Sequence, residues 1–234
     1  MGRMSFHLAL VLVMAAFVFV GFGLTYIGPH AVGTRPPDPP IVHLHGAVFF
    51  SWMLLLIAQA ALVNVKKVAL HRSLGMFGIA VGTLVVVMGV FITVVGASGV
   101  NMVGDTPAVF YLSVVAPPSF AVLFIMAIRA VRRLAVHRSL ILIATIAILM
   151  PGINRVYMAG LGAQHVPFVA TYLTMDVLLA AVLWKEWKVL GAVSRATGIG
   201  SAIVVVPQLL IFAVSSQPWW SQFIYWLGSL AVYR

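Results

Sequence analysis

The sequence predicts an all-α integral membrane protein, a polytopic bundle of seven transmembrane helices in one domain covering residues 1–234. Three observations carry this reading. Only 8% of residues are charged while 63% are hydrophobic. The apolar residues fall in runs of the length a bilayer requires, about 20 residues per helix. Eleven of the 14 basic residues cluster at the N-terminus and in three short segments separated by long apolar runs: Arg3; Lys66, Lys67 and Arg72; Arg129, Arg132, Arg133 and Arg138; Lys185, Lys188 and Arg195. The runs are apolar all round, without the alternating polarity of barrel strands, so they read as helices.

The spans fall near 5–27, 42–64, 74–96, 107–130, 139–160, 168–189 and 199–215. The first, from Phe6 to Ile27, is longer than the 7–15 apolar residues of a signal peptide and reads as a retained helix. Arg35-Pro36-Pro37-Asp38-Pro39-Pro40 follows as a stiff extended connector. In the third span Gly75, Gly78 and Gly82 mark close helix packing. Pro117-Pro118 and Pro207 predict kinks in the fourth and seventh, and Pro151-Gly152 loosens the fifth. The last stretch, Trp219 to Tyr233, is too short to span. Its Trp219, Trp220, Tyr225 and Trp226 suit an interfacial helix.

An internal repeat organises the bundle. Lys66-Lys67-Val68-Ala69-Leu70-His71-Arg72-Ser73-Leu74 matches Arg132-Arg133-Leu134-Ala135-Val136-His137-Arg138-Ser139-Leu140 position by position in identity or chemical class. The repeated unit is a helical hairpin, so the architecture is one leading helix plus three hairpins, the third degenerate around Trp184-Lys185-Glu186-Trp187-Lys188. Ser73 and Ser139 are expected as N-caps of the third and fifth spans.

Composition excludes several functions. With no cysteine there is no disulfide, thiolate metal site, iron–sulfur cluster or Cys nucleophile. A net charge of +10 split among short turns is not a nucleic-acid surface. It fits turns facing anionic lipid in a bacterial inner membrane, with the N-terminus cytoplasmic and the C-terminal end outside, where Arg35, Arg155 and Arg234 lie.

Three groups of residues could carry chemistry. The duplicated His71-Arg72 and His137-Arg138 sit before helix starts and form either a shared haem, metal or anion site or two lipid-anchoring turns. His45, Trp52 and Gln59 recur every seven residues on one face of the second span, a stripe that lines a pocket or simply packs, while Gly46 leaves room for a flat ligand or a helix. Asp176 lies near mid-membrane, where a carboxylate is costly unless partnered. Arg155 is its expected partner, as a structural ion pair, a proton relay or a substrate clamp. His165 lies near the same mouth and could face His43 or His45. His7 and His30 are expected at the interface.

Histidines on both faces, with His-Arg at helix starts, resemble small bacterial multi-pass inner-membrane families of unassigned function. More distantly they resemble the membrane cytochromes b, which hold haem between helices with paired histidines. The resemblance rests on residues 43–75 and 132–140. It implies haem b, with His45 and His165 as outer ligands, His71 and His137 as inner ligands, and Arg72 and Arg138 at the propionates. The chain departs from that pattern because His71, His137 and His165 fall in or beside loops. Three functions follow as expectations: b-type haem or quinone-linked electron transfer, a non-catalytic accessory or assembly subunit among other membrane subunits, or a small proton-coupled transporter using Asp176 and Arg155.

Overall fold

A computed structural model describes residues 4–162 and 165–231. Arg3, Arg234 and Tyr233 lie outside them. The described chain is helical, with nine helices and no strands. Helix α1 runs Phe6–Ala31, α2 Pro40–Asn64, α3 Val68–Ala97, α4 Thr106–Arg129, α5 Leu134–Ala147, α6 Met150–Leu161, α7 Phe168–Leu190, α8 Arg195–Ser215 and α9 Pro218–Ser229. Six are long and apolar enough to cross a bilayer singly, and α5 with α6, joined at a 51° bend, are together long and apolar enough for a seventh, broken span. Large apolar side chains such as Leu12, Leu84, Phe91, Leu173, Leu209 and Phe212 are exposed on the outside of the bundle. No water-facing surface would carry so much, and a bilayer covers it.

Local chemistry sets the helix ends. Ser5 caps α1 by accepting from the Leu8 amide at 3.3 Å, and its own N–H donates to Asn64 Oδ1 at 2.8 Å, which ties the start of α1 to the end of α2. Helix α1 widens into a π turn at Gly23–Ile27. Pro39 and Pro40 start α2, as the Pro-rich connector requires. Lys66 ends α2 in a left-handed conformation with φ 62°.

The expected serine caps are corrected. Helix α3 starts at Val68 and α5 at Leu134, so Ser73 and Ser139 lie inside their helices. Each Lys- or Arg-rich turn is followed by a segment without Gly or Pro, and the helix propagates back to the turn. The His-Arg pairs therefore sit in the first two helical turns.

The two repeated hairpins, α2–α3 and α4–α5, meet through α3 and α4. Gly82 admits the ring of Phe124 there, and a Cβ at Gly82 would come within 2.6 Å of it. Gly75 and Gly78 face α2 at ordinary contact distance. Helix α5 is the hub, packing on α4, α7 and α8, with Leu140, Ile143, Ala144 and Ile146 fully buried. Helix α4 runs through Pro117-Pro118 unbroken. Pro117 cannot donate to the Ser113 carbonyl, and Thr93 Oγ1 of α3 reaches that oxygen at 3.0 Å.

The third hairpin has its own lock. Glu186 is 2% exposed and accepts from the Ser194 amide at 2.8 Å and Thr197 Oγ1 at 2.7 Å, so α7 satisfies the start of α8. Helix α9 docks on α3 where Gly228 meets the backbone of Ala97. Trp220 is buried and donates to the Pro107 carbonyl at 2.9 Å, while Trp219, Tyr225 and Trp226 stay exposed. That stretch is a packed closing helix with one aromatic face outward.

Candidate functional site

The broken span creates the site. Pro151 has no N–H for the Ala147 carbonyl, Leu149 stands outside both helices, and α6 leaves α5 at 51°. The bend swings α6 against α1, where Gly21 and Gly152 bring their backbones together. The space opened between α1, α2, α4, α6 and the α7–α8 pair is a cavity of about 430 Å³, with Gly89 and Thr93 of α3 also on its wall. That is the size of a small-molecule site. Most of the wall is apolar, including Phe22, Phe49, Phe50, Met53 and Met175. Gly46 stands on the wall with open space before it.

Arg155 is the charge on the inner wall. It is half-buried, donates to the Pro151 carbonyl at 3.1 Å and lies over the Phe22 ring at 4.2 Å. Among the described residues no carboxylate approaches it within ion-pair distance. It stands in the first turns of α6, where the helix dipole already favours an anion. Three wall residues each keep a polar atom that has no partner and is closed off from solvent: His45 Nδ1, Asn154 Oδ1 and Tyr172 OH. Such atoms cost free energy until something bonds them.

The expected pair of Arg155 with Asp176 is corrected. The bend aims Arg155 at α1, whereas Asp176 on α7 has Gln208 of α8 as its polar neighbour. Asp176 Oδ1 is buried without a hydrogen bond, and Asp176 stands behind the wall that Gln208 lines.

Trp52 and His45 both line the cavity. Trp52 is buried edge-on against Phe120 and Phe124 and spends its N–H on Thr145 Oγ1 at 3.3 Å, so it is a fixed floor. Gln59, two turns further on, leaves the cavity and sits beside Gly75 and His71. His165 does not meet His45. Its side chain is 85% exposed, 3.5 Å from Asp105, whose carboxylate also accepts from the Val166 amide at 2.8 Å. His71 and His137 lie in the first turns of α3 and α5, at the basic end. His137 Nδ1 is bonded to the Ala127 carbonyl at 2.8 Å, Arg72 is exposed, and neither histidine lines a cavity.

The outer rim is a polar clamp. Arg35 grips Asp38 with two hydrogen bonds, 2.8 and 3.1 Å, and lies over the Tyr26 ring. His30 Nε2 is 3.3 Å from Asp38, and the Tyr26 hydroxyl bonds His43 Nδ1. The Arg35 guanidinium holds the Asp38 carboxyl below the ordinary carboxylate range, and Asp38 in turn raises the Arg35 guanidinium. The clamp pins the Pro-rich connector across the cavity's edge, where Tyr26 and Arg35 join the lining. Sequence reasoning missed Asn154, Tyr172 and Gln208. Two of them carried a signal: Asn154 follows Pro151-Gly152, and Gln208 follows Pro207, prolines that each remove a helix hydrogen bond.

No protein-family model, curated protein or solved structure matches the chain.

Proposed function

We propose that this integral membrane protein binds a small amphipathic anion, a carboxylate or similar headgroup on an apolar body, and acts as a small carrier for it. One observation supports this above the others. The broken span sets a helix start and an Arg155 without a carboxylate partner on the wall of a largely apolar cavity. Interrupted membrane helices whose N-terminal ends point at anionic groups are how many carriers hold substrate in lipid. The aromatic wall takes the chain. If the basic turns face the cytoplasm of a bacterial inner membrane, the rim at Tyr26 and Arg35 opens to the outside. Asp176, behind Gln208, is placed to exchange a proton as substrate enters or leaves.

A second reading is favoured by His45 and Tyr172, which could bond the carbonyls of a quinone. A bis-histidine haem, by contrast, needs two imidazoles facing one cavity, and His45 is the one histidine on this wall.

Trp52 provides the readout. Titrating purified protein in nanodiscs with 11-bromoundecanoate should quench Trp52 fluorescence saturably, with the signal isolated by subtracting a Trp52→Phe variant. The methyl ester should quench weakly, and Arg155→Gln should abolish saturation. Equal quenching by acid and ester, unchanged in Arg155→Gln, would refute the anion reading and leave the neutral quinone.

A further inference from the structure

A second cavity, about 250 Å³, lies at the basic end, far from Arg155 in the fold. It is formed by the start of α1, the first two turns of α5 and the end of α7. His7, Arg138 and Lys185 line it, one from each helix, and all three are half-buried. None of them has a hydrogen-bond or ion-pair partner among the described residues. The single acid on its wall, Glu186, is already committed to Ser194 and Thr197 of α8, with Ser139 beside it. Two cations, Arg138 and Lys185, and the His7 ring thus converge from three helices on one opening whose single carboxylate has its oxygens turned to α8. Arg138 and Lys185 carry like charges on the walls of one opening, and a bound anion relieves their repulsion.

The surroundings fix where that anion sits. Phe6 packs on Trp184 with ring centres 5.9 Å apart, and Lys185 Nζ lies 5.8 Å from the Phe6 ring. Aromatic rings beside basic residues mark the headgroup level of a membrane. Leu134 and Val189, on the cavity wall, and the neighbouring Leu190 are exposed. They offer apolar surface beside the charged opening, as a bound lipid's glycerol and acyl chain would need.

We infer that His7, Arg138 and Lys185 form a binding site for a phosphate group, supplied by an anionic glycerophospholipid. Basic pockets between membrane helices recognise such headgroups because a phosphate oxygen can be shared between several donors. Arg138 offers a planar fork, Lys185 a point charge, and His7 a ring N–H. The site is separate from the Arg155 cavity and stands or falls independently of the carrier reading.

Native mass spectrometry of protein released from nanodiscs of equal phosphatidylglycerol and phosphatidylcholine tests this. The wild type should retain phosphatidylglycerol over phosphatidylcholine, and Arg138→Gln with Lys185→Gln should lower that preference on the order of tenfold. Arg138→Lys should keep part of it. Arg132→Gln with Arg133→Gln removes two exposed charges at the same end outside the cavity and should leave it intact. An unchanged gel-filtration profile and unchanged thermal unfolding in lipid-free detergent should show that all variants fold. Thermal stabilisation by inorganic phosphate alone, in lipid-free detergent and dependent on Arg138, with no lipid preference, would keep the phosphate site but overturn its lipid source. Equal loss in the Arg132/Arg133 variant, or no preference in the wild type, would overturn the site itself.

Discussion

Gly21 of α1 and Gly152 of α6 touch backbone to backbone, and this contact decides where Arg155 points. A Cβ on Gly21 would strike the Gly152 carbonyl and lie 3.1 Å from Arg155 Cβ, and one on Gly152 would press on Val18 at 3.1 Å. Gly21→Ala and Gly152→Ala should each cost about 1–3 kcal/mol, the usual penalty of overpacking where backbone cannot yield. Gly46→Ala is the control. It faces open space and should be neutral, or more stable by up to about 1 kcal/mol because Ala favours helix. Unfolding in mixed detergent checks all three.

Arg155 should act through charge and fork geometry together. Arg155→Lys keeps the charge and should weaken carboxylate binding by about tenfold, as loss of a bidentate contact implies. Arg155→Gln should remove the preference of acid over ester. Equilibrium titration of the two variants distinguishes a charge site from a merely polar one.

The rim clamp has a defined pH window. Asp38 titrates below its ordinary value because Arg35 bonds its carboxylate. A depressed acid contributes stability above its unfolded pKa, about 3.9, and that contribution is lost as pH falls through the lower folded value. His30 and His43 also face Asp38. In Ala substitutions of both histidines, proteolysis of the Pro-rich connector should stay flat from pH 8 to 5 and rise only below about pH 4. Asp38→Asn should raise cleavage throughout. An increase near neutral pH in the double histidine variant would show that another group holds the clamp.

Thr93 should matter because of a proline on another helix. Thr93→Val leaves the Ser113 carbonyl, already without the Pro117 N–H, with no donor from α3. Hydrogen bonds between membrane helices average about 0.6 kcal/mol and reach about 1.7. The Thr93 hydroxyl shares its one proton with the Gly89 carbonyl at 2.8 Å, so the loss should sit near the average, and Thr93→Ser should restore most of it. Reversible unfolding in detergent measures both.

The sequence displayed the bundle plainly, because apolar runs, basic turns and the His-Arg-Ser-Leu repeat each depend on local composition alone. It displayed the site in part. Pro151-Gly152 flagged the break and Gly46 the open wall, and both are properties of one stretch of chain. The partner of Arg155 was not legible. Spacing tells which face of a helix a residue occupies, but the 51° bend decides which neighbour that face meets, and it chose Phe22 over Asp176. His45 and Trp52 were found together, while Gln59 left the stripe because the cavity ends before it. Ser73 and Ser139 misled because a capping residue type says nothing of whether the preceding segment is itself helical.

The central claim is that Arg155 and the start of α6 hold an anionic headgroup while the aromatic wall holds its chain. A crystal structure with 11-bromoundecanoate bound tests it most directly, since bromine is located by its anomalous scattering. The account predicts a bromine peak inside the Phe49–Phe50 wall and a carboxylate on the Arg155 guanidinium. Bromine confined to the lipid-facing outside of the bundle, with Arg155 uncontacted, would contradict it.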